Sequence, residues 1–407
     1  MPESWPTAKI GDLADWRGGL TPSMANLNFW SGGDIPWISS KEVVGGVLTD
    51  TERKVTRQAV EETSLRLIPA GSVAVVVRSG ILLHTFPVAL VPFETTVNQD
   101  IKIGTPRQGV LSEYLAYCLD AHGQQILERC RKTGTTVQSV DVPGFLAFEV
   151  PLPPLPVQRR IVDLIGALDA HIEVLDSEVA SAESLLARQR DALPQAEEMP
   201  LGSVLSGIDS GKSVLTAGEE PVEGCPRILK ISAVRPGLFS PGEAKGLGPE
   251  VAMPEASRVR EGDLLITRSN TPDRVGYCAR ARDVPGDTFM PDLIWRLRLD
   301  GRQCEPDYLE QALASPTIRA RLISTASGTS ASMRKINKQG FSTLLVPVPC
   351  LTEQRKYAQS CLAIFSIGRA LRVERDALQR VRALVLGSLL SGGVEIPESF
   401  GALLEAV

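Results

Sequence analysis

The sequence predicts a duplicated α/β (α+β) fold in which two globular domains are joined by two long antiparallel coiled-coil helices with pseudo-two-fold symmetry. Three observations predict it. A heptad seam runs through the middle of the chain, a second seam repeats it near the end, and the stretches preceding the two seams follow one plan. With 407 residues the chain is too long for one ordinary core, and 43% hydrophobic with 22% charged residues is the balance of a globular protein.

The first globule is expected over residues 1–155. Trp5 to Trp16 suggests a short strand, residues 18–23 (GGLTPS) a turn-rich loop, residues 35–39 (IPWIS) a strand, and VVGGVL a bend. The β-branched run in residues 70–80 (AGSVAVVVRSG) fits a strand buried on both faces, and residues 95–104 are another strand candidate. Apolar residues three and four apart predict one helix over residues 112–132, ending at Gly134.

The first rod is expected over residues 156–195, after a proline-rich lead-in (PLPPLP) that the sequence predicts to be non-helical. Ile161, Ile165, Leu168, Ile172, Leu175, Val179, Ala182, Leu186, Gln189 and Leu193 follow a 4-3 alternation, a heptad seam with one polar position. A helix of that length measures about 55 Å and needs another to pack on. The chain supplies it over residues 351–392. Pro151, Pro153, Leu155, Gln158, Arg159 and Arg160 recur as Pro347, Pro349, Leu351, Gln354, Arg355 and Lys356 at a constant offset of 196. The second seam is poorer, with Gly368, Arg375 and Arg382 in it, and predicts less regular packing.

The second globule is expected over residues 196–350. Residues 226–239 match residues 35–48, keeping Val43/Val234 and Gly46/Gly237 at an offset of 191. Residues 260–270 match the strand after Gly71, and residues 306–330 match the helix through Tyr114/Tyr308 and Leu115/Leu309 at 194. Residues 393–407 form a tail without a reading.

Composition excludes several classes. No apolar run approaches the roughly 18 residues of a membrane span, and the segment MPESWPTAK lacks a signal-peptide core, so a cytoplasmic protein with no membrane partner is expected. Seven widely spaced cysteines without C-x-x-C argue against a disulfide framework and a zinc site. Residues 157–200 net −5, whereas residues 201–350 net +2, so the first rod suits protein contact better than DNA. His84, His122 and His171 are scattered, and no [DN]-P-P-[YF] tetrapeptide, nuclease core or glycine-rich cofactor loop appears. Residues 207–213 (GIDSGKS) approach a phosphate-binding loop but have three residues between the glycines instead of four, and stand where the first half has GGLTPS.

The remaining candidates suit recognition of a nucleic acid. Arg131 and Lys132 flank Gly134-Thr135-Thr136, and Arg334 and Lys335 follow Gly328-Thr329-Ser330. Amides, hydroxyls and cations so grouped hold a phosphate, although a helix C-cap glycine followed by an N-cap hydroxyl reads equally well. Arg78-Ser79 and Arg268-Ser269-Asn270 end the apolar strand of each half, and Arg and Asn each address a purine edge bidentately. Lys41, Lys230 and Arg274 complete the candidate DNA-binding set; catalytic and metal-binding residues are none.

PLPPLPVQRRIV followed by a long helix, occurring twice, together with GGLTPSMANLNFWSGGDIPWISSKEV and the two Gly-Thr-hydroxyl turns, resembles the specificity subunit of Type I restriction-modification systems. The resemblance covers nearly the whole chain. It implies a non-catalytic subunit whose two target recognition domains each read half of a bipartite site on double-stranded DNA, with the rods setting the gap. It also implies methyltransferase (modification) subunits on the rods and a restriction subunit beyond. S-adenosylmethionine, ATP and Mg are then expected on those partners, and no cofactor on this chain. A coiled-coil adaptor that binds only proteins and a self-contained DNA-modifying enzyme are the alternatives; the duplicated globules oppose the first and the motif census the second.

Overall fold

The computed structural model describes all residues except 1–4, 133–136, 215–219, 223, 249, 327–332, 395–396 and 398–407. The chain divides into two compact units, Met1–Val174 with Arg375–Val407, and Leu175–Glu374. The division falls inside each long helix, so each unit holds one globule and one half of each rod.

In the first unit a four-stranded antiparallel sheet runs in the order Ala14–Gly18, Ile101–Pro106, Ser72–Val76, Val88–Val91. A three-stranded sheet sets Arg53–Val55 antiparallel and Thr96–Val97 parallel to Ile35–Ile38. The strand Thr7–Lys9 closes the globule against its last strand, Glu149–Pro151. Ser72–Val76 is buried throughout because both faces are covered. Val73 and Val75 enter the core shared with the helices, and Ala74 and Val76 enter a second core with Ile38 and Val97, as a period of two requires.

The second unit repeats this plan. Its sheets run Leu205–Ser210, Ile294–Leu299, Leu264–Thr267, Cys278–Arg280, and Ala244–Gly246, Arg227–Leu229, Thr288–Phe289, with Glu198–Pro200 closing on Leu345–Pro347. Val43 and Val234 are both buried, and Gly46 and Gly237 both take a φ near +70° (66° and 73°), a conformation that favours glycine.

Several expectations need correction. The helix of residues 112–132 is two, Ser112–Ala121 and Gly123–Cys130, because the backbone turns at His122 and Gly123 packs on Phe86, where a Cβ would meet the Phe86 Cβ at 3.1 Å. Its counterpart breaks between Pro306–Leu313 and Pro316–Thr325, where Ser315 caps the second piece by accepting from Ile318 N at 3.2 Å. Trp5 to Trp16 holds a short helix, Ile10–Leu13, between two strands. The proline lead-in is partly helical, since the first rod spans Leu155–Asp191 with Pro156 in its first turn, where the missing N–H has no intrahelical partner to lose.

The second rod is one helix, Leu351–Leu390, despite its poorer seam. Most of the seam is observed: Ile161, Ile165, Ile172, Leu175, Val179 and Leu186 are buried and Leu168, Ala182 and Gln189 half-buried, but the helix ends at Asp191, short of the expected residue 195, and leaves Leu193 outside it. The rods run antiparallel within each unit. In the first, Ile161 and Ile165 share a core with Leu386 and Leu389, while Asp169 pairs with Arg382. In the second, Glu183 pairs with Arg372, and the Tyr357 hydroxyl donates to the Arg190 carbonyl at 2.6 Å. Gly368 faces Ala182, and a Cβ there would stand 3.4 Å from the alanine's, an ordinary contact.

Candidate nucleic-acid interface

Strand direction brings five segments of the first unit to one rim of its sheets. Val76 pairs with Ile101 and Gly18 with Lys102, so the end of the central strand, the loop after Gly18 and the turn before Ile101 are neighbours. Ile38 pairs with Val97, and the Asn98 amide donates to the Ile38 carbonyl at 3.0 Å, which adds the turn holding Lys41. The last arrival is the segment before the globule's final helix. Val140 N donates to Val77 O at 2.8 Å and Ser79 N to Gln138 O at 3.0 Å.

The glycine loop is pressed onto this rim. A Cβ on Gly19 would lie 1.7 Å from the Val97 carbonyl oxygen, and Thr21 Oγ1 donates to Gln99 Oε1 at 2.7 Å. In the second unit a Cβ on Gly211 would lie 2.2 Å from the Met290 and Pro291 carbonyls, and Ser213 donates to Asp292. The near match to a phosphate-binding loop is therefore the counterpart of GGLTPS, held by strand-end carbonyls. The strand expected over residues 95–104 is broken by the turn Asn98–Asp100 between Thr96–Val97 and Ile101–Pro106, and the shared spacing from Gly19 to Thr21 and Gly211 to Ser213 marks the two loops as equivalent.

The two Arg-Ser pairs are not equivalent, contrary to their sequence likeness. Val77 O accepts from Val140 N as Arg268 O accepts from Ile336 N, and Val77 N donates to Asp100 O as Arg268 N donates to Leu293 O. Arg268 therefore occupies the place of Val77, and Ser269 that of Arg78. One residue of slip in a strand reverses the face. Arg78 accordingly stands out with 59% of its side chain exposed, its Nε 3.2 Å from Asp100 Oδ1. Arg268 turns inward, its guanidinium 5.8 Å from the Trp295 ring centroid and its Nε buried without a hydrogen-bond partner. Ser269 is fully buried, so its hydroxyl cannot reach a base edge in this conformation, a correction to its expected place in the readout set.

The other candidates are placed as follows. Ser79 accepts from Ile81 N at 3.5 Å and so caps the turn Gly80–Leu83. Arg131 and Lys132 are exposed; Lys132 N donates to Ser139 O at 2.8 Å, and its Nζ stands 3.8 Å from Asp141. In the second unit the ladder Ser269↔Lys335 and Asn270↔Arg334 joins two stretches far apart in sequence. Asn270 Oδ1 accepts from Thr271 N at 2.9 Å, Arg334 Nη1 donates to Ala326 O at 3.2 Å, and Arg274 lies 3.4 Å from Asp273. Lys41, Arg131 and Lys335 are exposed and Lys230 half-buried, none with a side-chain partner among the described residues. Thr135, Thr136, Thr329 and Ser330, with Gly134 and Gly328, lie outside the described residues.

The rods attach at the other end of the same sheets. Fully buried Gln158 accepts from Leu111 N at 3.0 Å and donates to Gly109 O and Pro153 O, both at 2.9 Å. Gln354 repeats this with Glu305 N, Gln303 O and Pro349 O, all at 2.8 Å. Tyr114 and Tyr308 hydroxyls donate to the Pro151 and Pro347 carbonyls at 2.8 and 2.6 Å. The duplicated Pro-Gln lead-in is thus a clamp between globule and rod, and it leaves the opposite rim open. Among the described residues there is no metal-like cluster of three or more His, Cys, Asp or Glu, and no helix long and apolar enough to cross a membrane.

Known proteins share this fold. Residues 2–180 match the family described as the Type I restriction modification DNA specificity domain. The chain is 38% identical over 165 residues to a Type I restriction enzyme specificity subunit of Escherichia coli, covering 40% of each chain. It is 31% identical over 176 residues to one of Methanocaldococcus jannaschii, covering 42% of this chain and 40% of that one. These matches span about two fifths of the relatives' length. A specificity subunit of E. coli K12 is 22% identical over 416 residues, covering 94% of this chain and 87% of the relative. Among solved structures, the Type I S subunit of M. genitalium superposes with a TM-score of 0.58 at 16% identity over 97% of both chains. A chain from a study of type I R-M complex assembly gives 0.55 at 18% identity, covering 97% of this chain and 99% of that one. The fold is that of Type I S subunits, and the resemblance carried by the proline-led rods is borne out.

Proposed function

We infer that the chain is the specificity subunit of a Type I restriction-modification system, without catalytic activity of its own, and that each globule reads one half of a bipartite DNA target. The observation that carries this reading is the pair of rims. The backbone plan is the same in both units, yet the side chains on it differ: Arg78 and Lys41 on the first, Asn270, Arg274 and Lys335 on the second. Equal scaffolds bearing unequal hydrogen-bonding groups suit two different half-sites. In this reading residues 1–155 and 196–350 are the target recognition domains. Methyltransferase subunits would dock on the rods, whose exposed faces carry the apolar side chains Val174, Leu185, Ile367, Val373 and Leu384.

The test is methylation-site mapping by sequencing in cells carrying the chain with its methyltransferase. Asn270→Ala with Arg274→Ala should relax recognition in one half-site only, at about 1–3 kcal/mol for each bidentate base pairing removed. Relaxation of both half-sites would defeat the modular reading, and methyl transfer by the purified chain alone would defeat the non-catalytic one.

A further inference from the structure

Each globule seats the tip of the rod that belongs to the other repeat, and the two seats have opposite chemistry. At the offset of 196, Leu186 corresponds to Arg382 and Arg190 to Leu386, so the charged and apolar layers trade places between the rods. In the first unit Arg382 forks onto Asp169, reaches Asp120 at 3.4 Å and lies 5.4 Å from the Tyr117 ring centroid. One turn further, Leu386 is 2% exposed in the apolar cluster with Ile161 and Ile165. In the second unit the order is reversed. Leu186 joins the apolar cluster of Tyr357 and Cys361, and the 8% exposed Arg190 donates through Nε to Gln311 Oε1 at 2.9 Å. Gln311 in turn donates at 3.0 Å to Glu310, which is fully buried and also accepts from Arg280 N at 2.6 Å.

The globule faces match their occupants. Tyr114 and Tyr308 make the same bond to the rod lead-in, which puts Ala116 and Tyr117 where the second unit has Glu310 and Gln311. Asp169 stands where the second rod has Phe365.

We propose that these exchanged layers are a key: each globule accepts the tip of the other repeat's rod and rejects that of its own, which disfavours association of two copies through like repeats. If the first globule received the first rod's tip from another copy, Leu186 would face Asp169 and Asp120, and Arg190 would enter the slot between Ile161 and Ile165 without an acceptor. The reciprocal error would put Arg382 into the Leu186 cluster and Leu386 against Gln311. A buried guanidinium without an acceptor is among the costliest mismatches a protein interface offers. A chain whose halves share one plan needs such discrimination, because without it the alternative pairings would be nearly equal in energy.

The test uses the full chain. Arg382→Leu with Leu386→Arg gives the second rod the layer order of the first, and is expected to lower the folding equilibrium of the first unit at least 100-fold, read by urea titration and by hydrogen exchange of the rod amides. When two differently tagged copies are co-expressed, the same variant should raise the mixed-tag species at least tenfold above the native chain. Adding Ala116→Glu, Tyr117→Gln and Asp169→Phe rebuilds the second unit's seat and should recover at least tenfold in both measurements. Stability within threefold of the native chain, no rise in mixed-tag species, or no recovery on rebuilding the seat would each overturn the proposal. If the double variant does not accumulate, Arg382→Gln with and without Asp169→Asn reads the same coupling: recovery of fivefold or more by the second change supports the key, and less overturns it.

Discussion

Replacing Gln158 by leucine tests the clamp that holds the first rod to its globule. The side chain is fully buried and makes three hydrogen bonds, at 3.0, 2.9 and 2.9 Å, to one backbone N–H and two carbonyls. Leucine fills similar space but leaves the Leu111 N–H without an acceptor and removes one donor from each carbonyl. An unpaired buried group costs about 1–3 kcal/mol, and a carbonyl with a second lone pair suffers less than an N–H, so the sum is roughly 4 kcal/mol. The extra apolar burial offsets about 1 kcal/mol of this, leaving ~3 kcal/mol, on the order of 150-fold in the unfolding equilibrium of that unit. Urea unfolding gives the total, and hydrogen exchange at the Leu111 amide locates it. Gln354→Leu should match it within about 1 kcal/mol, because the same three bonds recur there. Gln158→Glu adds a sign. The carboxylate keeps the acceptor for Leu111 but turns a second acceptor toward two carbonyls, so its native pKa would be raised. Its destabilisation should therefore fade as pH falls and the acid form restores a donor. A cost for Gln158→Leu below about 0.5 kcal/mol, or an unchanged Leu111 amide, would refute the clamp.

Gly19→Ala should unfold the first unit's rim at lower temperature, since the added Cβ would sit 1.7 Å from the Val97 carbonyl; Gly211→Ala should do the same in the second, and calorimetric melting reads both. Burial holds the Glu310 carboxyl above its ordinary 4.5, against the Arg280 N–H and Arg282 that lower it. A raised carboxyl contributes stability that is full below the unfolded value and is lost as pH rises through the native one, so Glu310→Gln should flatten that decline in urea midpoints taken from pH 4 upward. Thiol titration of the native chain should find two fast cysteines, Cys225 and Cys350, which are exposed; the other five are buried, and burial pushes Cys118 and Cys304 up to about 12.

How much of this was legible depends on what kind of constraint each feature carries. The first rod could be read because its seam repeats every seven residues along the helix, and the second because it repeats the same lead-in at a constant offset although Gly368, Arg375 and Arg382 interrupt its seam. Gly46 and Gly237 could be matched because a positive φ leaves glycine as the favoured residue. The identity of Gln158 and Gln354 was visible at the offset of 196, but its meaning lay in backbone groups some fifty residues upstream, Leu111 and Gly109 for one, Glu305 and Gln303 for the other. The break at His122 was hidden because its cause, the close approach of Phe86, lies outside the local pattern.

The Arg-Ser pairs show where identical letters mislead. Residues 78–79 and 268–269 look like one motif, yet backbone hydrogen bonding sets Arg268 against Val77, and a strand's period of two then assigns the two arginines to opposite faces. The exposed arginine of the first rim has buried Ser269 as its counterpart, and the arginine of the second lies against Trp295 beneath the rim. Under the proposed reading, the ladder that brings Asn270 beside Arg334 and Lys335 is the place the backbone of the second globule offers for recognition groups. Duplication preserves the register of hydrogen bonds, because a slip would turn a whole strand inside out. It leaves the exposed side chains free to diverge, and that freedom is what the proposed reading of two unlike half-sites would require.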